Sequence, residues 1–495
     1  MTSKQFLLGQ KILSVLFYVL IFVSLLISVA YYFNRFSNLI LFLILFLILI
    51  LSIFLYLHPE WGLYHLLILL PFHAFLLMVI RKNFSLDATG SFWVAFWKEL
   101  IIVLLFLIVV TKTIIRRKLP FNFLLLDWLI IILFGLGVLS AFYGTKNFSQ
   151  TIWGLRTDFE FFLVYFLARS ILKTKKQLKI SIFLFLLSGL LVNLFCLLQI
   201  YYWPPDFLLR FGYIKEQWVP GGPLQAYQMV EGSLIRIVGT LSGAIQLGAY
   251  LAVLILFFLS LFKIVRSNLL RLGLGVIVLS FLPSLYHTFT RSAWLGLLGA
   301  LVVWGILIFW NWLKKFKPKT RIVMFLFSSL ILVFIPILIT FLLIKFTHPQ
   351  NNRLIDNLIY HGASTKEHWQ SITESIRIIK KYPFGLGIGK SGLSTLRFNE
   401  RFLSENWYLQ IATEMGILAL VIFILIMITF LKRIFLIYQK SKDNFIHAFS
   451  LGVFLSFICF SIVGLFLHAW GDNTTLALSF WILAGGLIEA ENYCF

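Results

Sequence analysis

Long apolar runs separated by short polar stretches recur along the whole chain. The hydrocarbon core of a bilayer, roughly 30 Å thick, is crossed by about 20 apolar residues as helix, the one open structure that satisfies its own backbone there. Fourteen runs meet or approach that length: residues 12–33, 37–56, 61–80, 92–115, 121–142, 158–172, 178–201, 236–262, 272–288, 291–313, 321–346, 405–431, 445–468 and 475–489. The sixth and fourteenth are short, and His58-Pro59-Glu60 makes a tight turn between the second and third. The pattern therefore predicts an all-α, polytopic integral membrane protein of about 12–14 transmembrane helices, residues 1–495 forming a single membrane domain. Lys4 and Lys11 precede an apolar stretch longer than the core of a secretory signal, so 12–33 reads as a retained first span.

Composition narrows the class further. Of 495 residues, 60% are hydrophobic and 12% charged, against about 25% charged in soluble domains, so a water-facing surface cannot be assembled. The 54 Phe, 15 Trp and 18 Tyr equally exclude a disordered chain. A net charge of +23 raises nucleic acid as a partner, but the charge is clustered. Its runs are Arg116-Arg117-Lys118, Lys173 to Lys179, Lys263 to Arg271, Lys314 to Arg321 and Lys432 to Lys442, each between two apolar stretches. With the N-terminus cytoplasmic, all five fall on the cytoplasmic side, so basicity encodes orientation and no nucleic acid is implied. Arg81-Lys82 then falls outside, a minor violation. Cys196, Cys459 and Cys494 are too scattered for a disulfide framework or zinc site and read as packing residues.

Two loops on the outer side are long, 202–235 and 347–404, and long ordered loops on a membrane scaffold tend to carry function. The first holds Trp203-Pro204-Pro205 and Pro220-Gly221-Gly222-Pro223. In the second, Ser364-Thr365-Lys366-Glu367 reads as a capping box, followed by Trp369, Ile372, Ile376 and Ile379 at helical spacing until Pro383. This predicts an amphipathic helix lying against the outer membrane face or over a cavity. Next come Gly387, Gly389 and Gly392 at dinucleotide-fingerprint spacing, with Gly389-Lys390-Ser391 imitating a phosphate-binding loop. Phe384 stands where that loop needs glycine and no strand precedes it, which leaves a tight structural turn or a lipid-phosphate contact.

Charged residues at the outward ends of spans are half desolvated and costly without a partner. Arg236 opens the eighth span, and Arg291 stands in the turn between the ninth and tenth. A guanidinium fork binds phosphate oxygens bidentately, so two facing one outer cavity suit a diphosphate; the plain alternative is snorkelling or pairing with a carboxylate. Glu405 opens the twelfth span as a candidate general base toward a sugar hydroxyl, with Asn406, Tyr408 and Gln410 nearby. Glu414, deeper, reads as an internal partner that orients its helix, and Glu99, Asp127 and Glu160 as structural partners. His361, His368 and His468 lie on the outer side as possible bases, and His65 and His73 within the third span. Their spacing is not that of ligands on one helical face, so no metal site is expected.

Arg236 with Gly239 and Thr240, Thr290-Arg291-Ser292-Ala293-Trp294, Trp369 through Tyr382-Pro383-Phe384-Gly385 to Gly389, and Glu405 to Leu409 with Glu414 and Gly416 together resemble the O-antigen ligase and polymerase superfamily. The resemblance covers a core region of residues 236–431. It implies a C-type glycosyltransferase architecture and a metal-independent enzyme with no cofactor. It further implies an undecaprenyl-diphosphate-linked glycan donor and a glycan or lipid acceptor, with transfer on the outer face of the bacterial plasma membrane in O-antigen or other surface polysaccharide assembly. In the family, arginines matching Arg236 and Arg291 hold the donor diphosphate. The ligase branch carries a catalytic histidine, then Asn, Ser or Gln, nine residues and glycine. Here that spacing survives as Glu405-Asn406, nine residues and Gly416, with Glu405 in place of histidine. This departure shifts weight toward a polymerase, or a ligase with another acceptor. A lipid-linked oligosaccharide flippase or polysaccharide transporter is the alternative class; it would set its site near the midplane between repeated halves, and no internal repeat is evident.

Overall fold

A computed structural model describes residues 38–86, 88–144, 147–213, 230–231, 234–313, 363–392, 394–398 and 402–494. The expected spans 12–33 and 321–346, the basic run from Lys314 to Arg321, Pro220 to Pro223 and His361 lie outside the described residues. The chain runs through α1 (Asn38–Leu57), α2 (Glu60–Leu69), a 3-10 turn, α3 (His73–Asn83), α4 (Ala88–Ala95), α5 (Trp97–Arg116), α6 (Leu125–Gly144), α7 (Phe148–Ile171) and α8 (Lys175–Tyr201). A short pairing of β1 (Val230–Glu231) with β2 (Leu234–Ile235) precedes α9 (Ala244–Leu261), α10 (Asn268–His287) and α11 (Arg291–Leu313). Then come α12 (Ala363–Lys381), α13 (Ser394–Arg397), α14 (Trp407–Met415), α15 (Ile417–Lys440), α16 (Asn444–Val463), α17 (Ala469–Asp472) and α18 (Thr474–Cys494). Among the described residues, eight helices are long and apolar enough to cross a membrane, counting α2 to α3 as one.

Helix starts follow local chemistry. Asn147, Thr174 and Asp443 cap α7, α8 and α16 by accepting first-turn backbone N–H bonds, and Thr174 with Gln177 completes a capping box. Of the eight membrane-length helices, α9 and α16 are the most buried, over 78% and 72% of their apolar windows, whereas α10 is buried over 17%; α18 is buried throughout residues 476–490. Glycine permits the close approaches. A Cβ on Gly452 of α16 would stand 2.8 Å from Phe257 of α9, and one on Gly485 of α18 would stand 2.6 Å from the Tyr165 carbonyl of α7. Buried Trp470 and Trp481 pack with Phe161, Phe457 and Phe480 between α7, α16 and α18.

Most basic loops meet at one end of the bundle. There Arg169 pairs with Asp127, reaches the Asn122 carbonyl at 3.0 Å, and lies 3.6 Å from Glu489, with the Phe121 ring 4.3 Å away. Tyr165 donates to Asp127 at 2.8 Å, and Lys173 bridges Glu489 at 2.6 Å and the Pro120 carbonyl at 2.7 Å. Lys175 pairs with Asp443, and Lys263 donates to Tyr438 at 2.8 Å. Asp127 is thus the structural partner its position foretold.

Three boundaries differ from the sequence pattern. The sixth span begins at Phe148, ten residues earlier than expected, because Gln150, Arg156 and Asp158 are polar yet find partners inside the bundle. The eighth begins at Ala244, so Arg236 precedes the helix; Gly239, at φ +58°, turns the intervening chain. The twelfth is broken at Gly416, at φ +90°, into α14 and α15.

Replacing Asp127 by Ala leaves the Arg169 guanidinium buried without its nearest carboxylate, a loss of about 3–5 kcal/mol. Thermal unfolding of the detergent-solubilised protein should show a clearly lowered midpoint, with part of the loss recovered in Asp127→Leu/Arg169→Met. An unchanged midpoint in Asp127→Ala contradicts the network's structural role.

Candidate active site

At the end of the bundle opposite the basic loops, the turn between α10 and α11 gathers the first candidate residues. Phe289 takes φ +50°, a conformation costing a non-glycine residue on the order of 1–3 kcal/mol. The turn is held from several sides: Phe289 N–H donates to the Tyr286 carbonyl at 3.0 Å, Ile237 N–H to the His287 carbonyl at 3.1 Å, and the Thr290 hydroxyl to the Ala244 carbonyl at 3.1 Å. Into this turn reaches Arg236, whose Nε donates to the Thr288 carbonyl at 2.9 Å and whose terminal nitrogen donates to Thr290 Oγ1 at 3.3 Å. Arg291 follows at the first position of α11, with its side chain exposed. The two expected arginines therefore belong to one turn, at a helix N-terminus whose dipole favours anions.

The second group is carried by α14. Asn406 caps it, accepting from Tyr408 and Leu409 N–H at 3.0 Å, and its amide donates to the Leu465 carbonyl at 2.8 Å. Trp407 N–H bonds to the Gly464 carbonyl at 2.9 Å, and the Tyr408 hydroxyl to the Ser461 carbonyl at 2.8 Å. Ser461 lies in the last turn of α16, and Gly464 and Leu465 follow it directly. The same stretch of α16 receives α11, since a Cβ on Gly296 would stand 2.7 Å from the Cys459 carbonyl. One helix end thus carries the start of Arg291's helix on one side and the Glu405-Asn406-Tyr408 segment on another. Asn406 and Tyr408 are fully engaged in this positioning.

Glu405 is half-buried. Its N–H donates to Ser371 Oγ at 2.9 Å, and its carboxylate pairs with Nδ1 of His368 on α12. Ser371 also donates to the Leu403 carbonyl at 3.0 Å, and the Ser375 and Ser404 hydroxyls lie 3.1 Å apart. The face of α12 turned to the protein is therefore polar, formed by His368, Ser371 and Ser375. The expected amphipathic helix is present: Ile372 and Ile379 are half-buried, while Trp369 and Ile376 are exposed. The side chains of Ser364 to Glu367 lie outside the described residues.

Glu414 is buried and supports the glycine run. Its Oε1 accepts from Ser391 N–H at 2.8 Å and Gly392 N–H at 2.7 Å. Leu386 and Gly387 N–H donate to the Thr413 and Glu414 carbonyls at 2.7 and 3.0 Å, and Ile388 N–H to Ser140 Oγ at 3.2 Å. These five amides are spent inside the protein, as a tight structural turn requires. Gly387 and Gly389 take φ +105° and +82°, and the loop wedges between α6 and α7, where a Cβ on Gly144 would overlap the Gly387 backbone. Asp158, at the first position of the expected sixth span and not singled out in the sequence, sits beside this group and accepts from Gln410 at 3.2 Å.

The remaining candidates are structural. Glu99 and Glu160 join Lys98 and Arg156 in a buried ionic cluster. His65 Nδ1 lies 2.7 Å from the Trp61 carbonyl, and His73 Nδ1 accepts from Trp97 at 2.9 Å. His468 is buried at the head of α17. Among the described residues, no group of three His, Cys, Asp or Glu side chains is placed to hold a metal ion.

Residues 276–424 match the family model described as O-antigen ligase. They include Arg291, Glu405, Asn406, Tyr408 and Glu414, and exclude Arg236. No curated protein matches the chain. The match supports an O-antigen ligase- or polymerase-type role in surface glycan assembly for this multi-pass membrane protein.

Gly144→Ala drives a methyl into the glycine loop, whereas a Cβ on Gly135 meets nothing within 4 Å. Gly144→Ala should lower the melting midpoint and membrane yield, and Gly135→Ala should leave both unchanged. Equal behaviour of the two variants contradicts the tight seating of the loop.

Proposed function

We propose, from the premise that residues 276–424 are an O-antigen ligase region, that this chain transfers or polymerises glycan carried on undecaprenyl diphosphate. Transfer takes place at the outer face of the bacterial plasma membrane, and the N-terminus is cytoplasmic. The observation that carries this reading is the shared turn: Arg236 hydrogen-bonds Thr288 and Thr290, immediately before Arg291. Both bonds fix the guanidinium's position beside the start of α11.

The chemistry asks three things of the protein. The leaving diphosphate must be held by cations, the acceptor hydroxyl must lose its proton, and water must be kept from the anomeric carbon. Arg236 and Arg291 meet the first demand, as bidentate donors beside the N-terminus of α11. Glu405 supplies the carboxylate on the acceptor side. Asn406 and Tyr408 hold its segment against α16, and Glu414 holds the glycine loop behind it. The helix α12 covers Glu405 and excludes water from that side. Clustering of the basic loops at the opposite end agrees with a cytoplasmic placement of that end.

Arg291→Ala and Arg236→Ala should each lower glycan transfer by about 100-fold or more in isolated membranes, because a preorganised donor to the developing charge is lost. Arg291→Lys should retain part of the activity, since it keeps the charge and loses the fork. The assay follows glycan length on lipid and the appearance of glycan on a new acceptor. Normal products from Arg291→Ala membranes contradict the assignment.

A further inference from the structure

The carboxylate placed at the acceptor side does not stand alone. His368 is on α12 and Glu405 lies ahead of α14, and the fold sets the imidazole Nδ1 directly on the carboxylate. Neither side chain is sealed off, with 33% of His368 and 29% of Glu405 exposed. The pairing is supported by a built frame. Glu405 N–H bonds Ser371 one helical turn beyond His368, and Ser371 and Ser375 tie α12 to the backbone at Leu403 and the hydroxyl of Ser404. A surface ion pair formed by chance needs no such row of bonds between the two segments.

A carboxylate beside Nδ1 favours the neutral tautomer that carries its proton there, and in that tautomer Nε2 keeps its lone pair as the acceptor. It also stabilises the imidazolium that forms when Nε2 takes a proton. We propose that His368 and Glu405 form a catalytic dyad, in which His368 Nε2 is the general base toward the acceptor hydroxyl and Glu405 is the positioning residue. This rests on the glycan-transfer reading above and reassigns the proton within it.

The step balances without a further reagent. The acceptor oxygen forms a bond to the anomeric carbon while its proton passes to Nε2. The anomeric carbon–oxygen bond to the diphosphate breaks, and its electron pair leaves on the lipid diphosphate between Arg236 and Arg291. The imidazolium then returns its proton to water.

The test uses the full chain purified in lipid nanodiscs with a defined undecaprenyl-diphosphate glycan, following release of undecaprenyl diphosphate dependent on acceptor. His368→Ala and His368→Gln should lose about 100-fold or more in rate with an unchanged melting midpoint. Imidazole added to His368→Ala should restore part of the rate and should restore none in Arg291→Ala. Glu405→Gln should lose less than the histidine variants, and adding it to His368→Ala should cost nothing more, since there is no ring left to position. A rate in His368→Gln within about threefold of wild type overturns the dyad, as does a loss in His368→Ala that imidazole leaves unchanged. Additive losses in the double variant overturn the positioning role of Glu405. Absence of transfer in the wild-type protein counts instead against the glycan-transfer reading itself, so the two failures are distinguishable.

Discussion

A charge placed among acyl chains or apolar side chains is tolerated only with partners, and that constraint organises the molecule. It sorts the polar residues to the two ends of the bundle and gives the ends different characters. At the basic end, Arg169, Lys173, Lys175 and Arg433 each meet carboxylates, so the loops are locked by ion pairs. At the other end, hydrogen bonds to carbonyls and hydroxyls place Arg236 on Thr288 and Thr290, Asn406 on Leu465, and Ser371 on Leu403, beside the ion pair of His368 with Glu405.

The joint between these elements is the end of α16. It is deeply packed, with α9 and α11 against it and Trp470 on Phe460 at 4.2 Å, so it is a rigid base. The start of α11 and the Glu405 segment both take their place from it. The strained Phe289 persists because the bonds around the turn overdetermine it, and the glycine loop stiffens α14 from behind through Glu414. Sites built on such frames are precise because the supporting groups are themselves immobile.

The spans were legible because lipid enforces a strong signal. The limits of α6, α10 and α11 fall within a few residues of the apolar runs, and the cap of α16 is plain in Asp443. The breaks were less so. Gly416 interrupts a continuous apolar run, and polar residues such as Gln150 and Arg156 make the start of α7 read as a loop although they find partners inside the bundle. Arg236 and Arg291 stood out by charge at span ends, yet their common turn depends on a tertiary bond that no spacing announces. The spacing of Trp369, Ile372, Ile376 and Ile379 announced the amphipathic helix α12, whereas its polar contacts through His368, Ser371 and Ser375 follow from no such period. His368 and Glu405 were each visible as candidates, but their meeting is a property of the folded chain. That meeting also bears on the departure from the ligase motif, because the carboxylate at position 405 has an imidazole from another element beside it.

The central claim is that one end of the bundle binds a diphosphate through two guanidinium groups of a shared turn. Equilibrium binding of undecaprenyl diphosphate and undecaprenyl monophosphate to the purified protein in nanodiscs tests it most directly. The account predicts a preference for the diphosphate of about tenfold or more, that is at least about 1.4 kcal/mol, which disappears when Arg236 and Arg291 are both replaced by Gln. Equal affinity for the two lipids, or a preference that survives the double replacement, contradicts it.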